Sequence, residues 1–279
     1  MNSEQIYENC VRTYGGIILT LTIYVVDAFT DQVFNGNPAA VCLTSDPLDD
    51  ELMQRIASEM NLSETAFLFP LQDGYSLRWF TPNSEVDLCG HATLASAHML
   101  WATGIIPLNQ QASFFTKSGL LTAVKHDSWI QLNFPSEPVN ACEYPSELVD
   151  ALQIDPLYVG RNRFDYFIEV ESEDIIKRLS PNFSLLRTIQ TRGINVTSRS
   201  KEYDFVSRCF FPAVGVDEDP VTGSSHCGLA PYWGEKLNKT DLYAYQASAR
   251  GGILKIILHE NRVLLSGQAV MVMKSELFI

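Results

Sequence analysis

The stretch YSLRWFTPNSEVDLCGHATLASAHML, Tyr75 to Leu100, has a second version later in the chain: YDFVSRCFFPAVGVDEDPVTGSSHCGL, Tyr203 to Leu229. In each, a β-like run carries Arg, an aromatic residue and then Pro: Arg78, Phe80 and Pro82 in the first, Arg208, Phe210 and Pro212 in the second. An acidic loop follows, and then a Gly opens a run of small and polar residues, Gly90 with His91 and Gly223 with Ser224. The Arg-to-Pro spacing is the same in both, and 130 positions separate Arg78 from Arg208. Repeats of about 20–50 residues mark solenoids, whereas a period near half the chain implies two similar halves. The expectation is one active site between them.

The 279 residues suit two domains of ordinary size. The duplication sets an N-terminal half over 17–134, to which the final strand can belong, and a C-terminal half over 135–279. The shift to Pro, Glu and Asn at Pro135–Pro145 marks the linker. Hydrophobic residues at 46% and charged residues at 19% describe a globular protein with ample core material. A net charge of -13 excludes a general nucleic-acid surface, which needs clustered Lys and Arg. It does not exclude a small anion held by backbone N–H groups. The apolar run Gly16–Val26 is too short to span a membrane and, lacking a basic leader, reads as a strand. Residues 1–16 read as a mobile extension. Six cysteines without a CxxC pair read as reduced thiols in a cytoplasmic protein.

Pattern places a turn at Asn35-Gly36-Asn37-Pro38 between two β-like runs, and a helix over Asp46–Asn61 whose face carries Leu52, Ile56, Ala57 and Met60. Strands follow at Ala66–Phe69 and Ser76–Thr81, then an Ala- and Ser-rich helix over His91–Trp101. Short strands at Ala112–Thr116, Leu121–His126 and Trp129–Asn133 complete the first half. The second half reads as helix Ser146–Leu152, strand Asp165–Val170, helix Ser172–Leu179, strand Gly193–Thr197, the second repeat and a β-rich end. The fold class is α+β.

Gly90 and Gly223 both stand where a loop gives way to a helix. Free N–H groups and the positive end of the helix dipole make such a start an anion site. Simple capping explains either motif alone; recurrence in both halves favours binding. No metal-ligand constellation, Gly-rich phosphate loop or GxSxG elbow occurs, so the sequence gives no sign of a cofactor.

Four motifs in order, GNPAAVCL, NLSETAFLFP, LRWFTPNSEVDLCGHATLASA and VGVDEDPVTGSSHCGL, resemble the phenazine-biosynthesis PhzF isomerase family of the diaminopimelate epimerase-like fold. The resemblance runs from Asp27 to the closing strands. It implies two pseudo-symmetric halves, each a β-barrel-like sheet around a central helix, and a homodimer acting on a small carboxylated substrate; charge and the short apolar run speak against nucleic-acid and membrane partners. It makes Glu64 the general acid/base of a cofactor-independent isomerisation. Glu64 has apolar neighbours in Leu62, Ala66, Phe67 and Leu68, and partial desolvation would raise its pKa as proton shuttling requires. Ser63-Glu64 also fits a helix cap, and the residues alone leave both readings open. The resemblance further implies substrate contacts at His91, Asp219 and Ser224, beside the helix-start N–H groups at Gly90 and Gly223; Asn37 and Pro38 either line the pocket or simply make a turn. Helix starts account equally for His91 and Ser224, and an Asp-Pro turn for Asp219. Arg250 reads as an anion contact or a turn residue.

The related racemases pair two cysteines, each ahead of a central helix. Cys89 fits the first place, but the position matched to the second is Pro220, which transfers no proton. A racemase or epimerase of an amino or hydroxy acid using Cys89 is therefore the alternative enzyme reading. A non-catalytic module binding a metabolite or a protein is the alternative from another class.

Overall fold

The computed structural model describes residues 20–279, and the expectations for residues 1–16 and for the start of the first strand lie outside the described residues. The chain forms two compact units. The first comprises residues up to Phe34, Pro38–Leu132 and Gly267–Ile279; the second comprises Asn35–Asn37 and Asn133–Ser266.

The first unit wraps strands around one helix. Its strands are β1 (Thr20–Ala28), β2 (Asn37–Leu43, within this unit from Pro38), β3 (Glu64–Leu71), β4 (Gly74–Phe80), β5 (Glu85–Val86), β6 (Ala112–Thr116), β7 (Gly119–His126) and β8 (Trp129–Pro135, to Leu132). A closing strand, Ala269–Phe278, returns to pair antiparallel with β1. Parallel β2–β3 sets Ala39 opposite Glu64, and antiparallel β3–β4 sets Phe67 opposite Arg78. Helix α1 (Asp50–Met60) starts where the Asp49 side chain accepts from the Glu51 N–H, and it ends on Asn61 in the left-handed region. Its buried face is Met53, Ile56 and Ala57; Leu52 and Met60 flank it half-buried, a small rotation from the sequence expectation.

Helix α2 (Gly90–Ala102) is the centre, with ten of its thirteen residues buried. A helix enclosed on all sides must satisfy its polar side chains internally. Thr93 Oγ1 donates to the Cys89 carbonyl at 2.5 Å and Ser96 Oγ to the Ala92 carbonyl at 2.7 Å. The abundant Ala and Ser noted in the sequence thus serve close packing without leaving hydroxyls unpaired.

The second unit repeats the plan. It contains β9 (Asn140–Ala141), α3 (Ser146–Leu152), β10 (Tyr158–Arg161), β11 (Asp165–Glu169), α4 (Glu173–Arg178), α5 (Phe183–Leu186), β12 (Gly193–Arg199), β13 (Phe205–Phe211), β14 (Val216–Asp219), α6 (Gly223–Leu237), β15 (Asp241–Gln246), β16 (Gly252–His259) and β17 (Arg262–Gly267, to Ser266). Parallel β11–β12 sets Asp165 opposite Gly193, and antiparallel β12–β13 sets Val196 opposite Arg208. The β2–β3–β4 ladder of the first unit and this ladder are therefore in the same register, and Glu64 corresponds to Gly193. Helix α6 fills the place of α2, with Leu229, Ala230 and Trp233 among its buried residues.

The duplicated Arg has the same task in both units. Arg78 forks onto Glu85 through Nε at 2.7 Å and Nη2 at 2.9 Å, with its guanidinium 5.2 Å from the Phe80 ring centre. Arg208 forks onto Glu218 at 2.7 and 2.8 Å, again 5.2 Å from its aromatic partner, Phe210. The "acidic loops" of the sequence are the acceptors of these clamps, and parts of them pair as β5 and β14.

Two expectations need correction. The run after β1 is not a strand: β1 ends at Ala28, Phe29 and Phe34 adopt positive φ, and Asn37 with Pro38 already lies inside β2. Glu64 is no helix-cap residue, because it opens a strand.

Candidate active site

In the first unit, Glu64 opens β3 while Cys89 and His91 stand at the start of α2. Cys89 is the N-cap residue, extended at φ −143° and ψ 111°, and its side chain makes no capping hydrogen bond. The fold brings three separate side chains together: one donor atom from each of Glu64, Cys89 and His91 lies within 4.8 Å of the others. His91 is the middle member. Its Nε2 is 3.2 Å from Glu64 Oε2, and its Nδ1 is 3.5 Å from Cys89 Sγ. The Nε2 approach is off the hydrogen-bonding direction, so this buried nitrogen has no hydrogen-bond partner. Burial pushes the His91 pKa down to about 3. The ring is thus uncharged at neutral pH, and the contact is carboxylate against imidazole rather than an ion pair. Glu64 keeps 18% of its side chain exposed against 5% for His91, and Cys89 is buried, so Glu64 is the most accessible member of the cluster. Gly90, half-buried, begins the helix beside them.

The second unit assembles a different set at the start of α6. Asn37 is fully buried, and its Nδ2 donates to Asp219 Oδ1 at 2.8 Å and to the Val221 carbonyl at 2.9 Å. Thr222 Oγ1 donates to Asp219 Oδ2 at 2.5 Å. Although the residue as a whole is half-buried, the Asp219 carboxyl is desolvated. Burial pushes its pKa up to about 6, against the opposing pull of the Thr222 and Asn37 hydrogen bonds. Gly223 is buried as the first residue of α6, and Ser224 Oγ accepts a 3.4 Å contact from Arg192 Nη2. Arg192 is itself forked onto the buried Asp165 at 2.8 and 2.5 Å.

Comparison with known proteins identifies the family. The family model for phenazine biosynthesis-like proteins, PhzC-PhzF, matches residues 26–275. The chain belongs to the phenazine biosynthesis-like family. An uncharacterised isomerase of Halalkalibacterium halodurans is 66% identical over 265 residues, covering 94% of this chain and all of that protein. The crystal structure of a PhzF-family protein from Enterococcus faecalis superposes with a TM-score of 0.90 at 41% identity, over 94% of this chain and 100% of that one. A probable proline racemase from Agrobacterium radiobacter shares the fold at a TM-score of 0.62 and 10% identity, over 91% of this chain and 92% of its own. The fold is the expected diaminopimelate epimerase-like one, with a helix enclosed by strands in each pseudo-symmetric half.

Within this phenazine biosynthesis-like chain, the residue standing where Cys89 does, just before the first Gly of the central helix, is Thr222 rather than Pro220. A threonine hydroxyl, already donating to Asp219, is no better a second base than proline. Cys227 is buried one turn further along, its thiol donating to the Gly223 carbonyl and its pKa pushed up to about 12 by burial. Arg250 serves the turn: its Nε and Nη2 donate to the Gly36 and Asn35 carbonyls at 2.7 and 2.9 Å. Sequence reading missed Gln246, which donates to the Asp219 carbonyl and accepts from the Thr222 N–H. It also missed Arg192 and Asp165. No local pattern marks any of the three, since Gln246 and Arg192 reach the helix start from elsewhere in the chain and Asp165 is joined to it only through Arg192. No described helix is long and apolar enough to cross a membrane.

Proposed function

We propose that this protein is a cofactor-independent isomerase that moves a proton between carbons of a small, cyclic, carboxylated metabolite, with Glu64 as the general acid/base. The observation that carries this reading is the contact between the accessible Glu64 carboxylate and the buried Nε2 of His91 at 3.2 Å. The buried imidazole lies against this carboxylate, and Glu64 keeps 18% of its side chain exposed for a substrate to approach. Proton transfer by a positioned group of this kind is worth about 10²–10⁴-fold. The relatives named as isomerases support the reaction class. The N–H groups at Gly90 and His91 would hold a substrate carboxylate at the positive end of α2. In the second unit, Gly223 and Ser224 offer the same at α6, and Asp219 with Asn37 offers an acceptor and its support. The protein is proposed to act as a cytoplasmic homodimer, which sedimentation would report as twice 31.3 kDa.

The test is deuterium uptake from heavy water into a panel of small cyclic carboxylates, read by mass spectrometry. Uptake by the wild-type protein and a fall of about 10²-fold or more in Glu64→Gln are expected. Uptake retained in Glu64→Gln but lost in Cys89→Ser would replace this reading with a thiol-based racemase.

A further inference from the structure

We propose that Glu64, Cys89 and His91 form a binding site for a borderline transition-metal ion of the Zn²⁺ class, and that such an ion switches the acid/base group off. The three residues supply one carboxylate, one thiolate and one imidazole, with donor atoms within 4.8 Å of one another. Zn²⁺ takes such donors at about 2.0–2.3 Å, so donor atoms in a tetrahedral site stand roughly 3.5 Å apart. With Nε2 as the His91 ligand, Glu64 Oε2 at 3.2 Å already meets that spacing, whereas the 3.5 Å contact of Cys89 Sγ is to Nδ1, the other ring nitrogen, which cannot serve the same ion. Cys89 Sγ is the donor that has to move toward Nε2, and a side chain unused in capping can rotate to do so.

A second, independent feature points to a ligand. His91 Nε2 is buried with no hydrogen-bond partner, in a residue only 4% exposed. Buried polar nitrogens are rarely left so, because the lost hydration costs about 1–3 kcal/mol. A coordinate bond or a ligand atom would satisfy it. Among the described residues this is the one group of three such side chains close enough to share an ion.

The donor set selects the metal class. A thiolate and an imidazole favour Zn²⁺ or Co²⁺ and disfavour Mg²⁺ and Ca²⁺, which prefer all-oxygen shells. Binding converts the Cys89 S–H to an S–metal bond and releases its proton to solvent. Three protein ligands leave a fourth position for water. The Glu64 oxygen that bonds the metal is no longer available to carbon acids. This consequence rests on the proposed role of Glu64, whereas the metal site itself does not.

The experiment is titration of the reduced full-length protein with Co²⁺, followed by absorption. One equivalent should bring a thiolate-to-cobalt charge-transfer band in the near ultraviolet and visible bands of four-coordinate intensity. Zn²⁺ should abolish both, and Mg²⁺ should leave both. The charge-transfer band should vanish in Cys89→Ser, and Glu64→Gln should weaken binding by at least about tenfold, the loss that even an outer-shell change causes. Absence of the band, or its persistence in Cys89→Ser, overturns the proposal. If a variant does not fold, X-ray absorption at the zinc edge of the wild-type protein decides: one sulfur with nitrogen or oxygen neighbours supports the site, and no sulfur or several sulfurs refutes it. A cobalt band in a protein that catalyses no proton exchange sinks the isomerase reading alone. Exchange without a band sinks the metal site alone.

Discussion

Asp219 shows how a single buried carboxyl couples the second unit to pH. Its pKa rises from the ordinary 3.8 to about 6 because burial outweighs the hydrogen bonds from Thr222 and Asn37. A raised folded-state value means that the protonated form favours folding. The contribution is complete below about pH 4 and is lost as pH rises through 6. Two pKa units correspond to at most about 3 kcal/mol. Asp219→Asn removes the titration while keeping one acceptor, and Thr222 Oγ1 can turn to accept from the new amide. The stability difference, wild type minus Asp219→Asn, should therefore fall by about 2–3 kcal/mol between pH 4 and pH 7. Urea midpoints of both proteins at the two pH values measure it, and parallel pH dependences would contradict the assignment. At this scale the sequence was partly readable. Asp219 and Asn37 stood out as motif residues, but their hydrogen bond joins positions 182 apart and leaves no trace in local pattern. The same distance problem hid the cluster of Glu64 with Cys89 and His91.

The central helices and the strands before them carry the duplication. Periodicity and composition gave both helices to within a residue or two at their starts, because Gly marks each boundary and the buried faces are rich in small side chains. Pairs as short as β5 and β14 left no signal, since two to four residues cannot display an alternation. What the sequence showed as Arg, aromatic and acidic loop is one clamp, used twice. The third guanidinium nitrogen differs: Arg78 Nη1 reaches Asp50 on α1, whereas Arg208 Nη1 donates to the Ile176 and Leu179 carbonyls at the C-terminal end of α4. Each clamp thus fastens a peripheral helix to its ladder. A double-mutant cycle with Arg208→Met and Glu218→Gln should give a coupling of about 1–2 kcal/mol, above that of ordinary surface pairs, since the two side chains are only 13% and 21% exposed. Coupling near zero would reduce the clamp to a surface pair. Close packing of α6 is tested at Gly228, where an added Cβ would lie 2.6 Å from Phe167 Cζ and 3.2 Å from Asn162 Nδ2. Phe167 is 2% exposed and has nowhere to retreat. Gly228→Ala should destabilise the protein by about 1–2 kcal/mol net, because overpacking exceeds the gain in helix propensity. An unchanged or raised urea midpoint would show that the ring yields.

For the whole molecule, the chain's path decides which segments can be lost. The last strand does not stay with the unit that precedes it: Gly267–Ile279 belongs to the first unit, far from it in sequence. The sequence marked that segment as a strand that can belong to the first half, but it could not name the partner strand, because pairing choice depends on which edge is open in three dimensions. In the structure, Ala269–Phe278 runs antiparallel along the full length of β1, from Thr20 opposite Phe278 to Ala28 opposite Ala269, with one irregularity at Val25/Val26. The β1 residues Leu21, Ile23, Val26 and Ala28 are buried. Gly267 itself lies against Phe29 and Leu94 of the same unit, so the returning chain also abuts α2. A chain ending at Gly267 would leave one edge of β1 with unpaired N–H and C=O groups over nine residues. It would also uncover the apolar side chains behind that edge. The second unit keeps all of its strands in such a chain. Hydrogen exchange read by mass spectrometry should then show protection lost in β1 and α2 but kept in β12 and α6, with the shortened protein prone to aggregate through β1. Protection of α2 equal to that in the full chain would mean that the first unit folds without its closing strand. Equal loss in α6 would mean that neither unit stands once the other is opened.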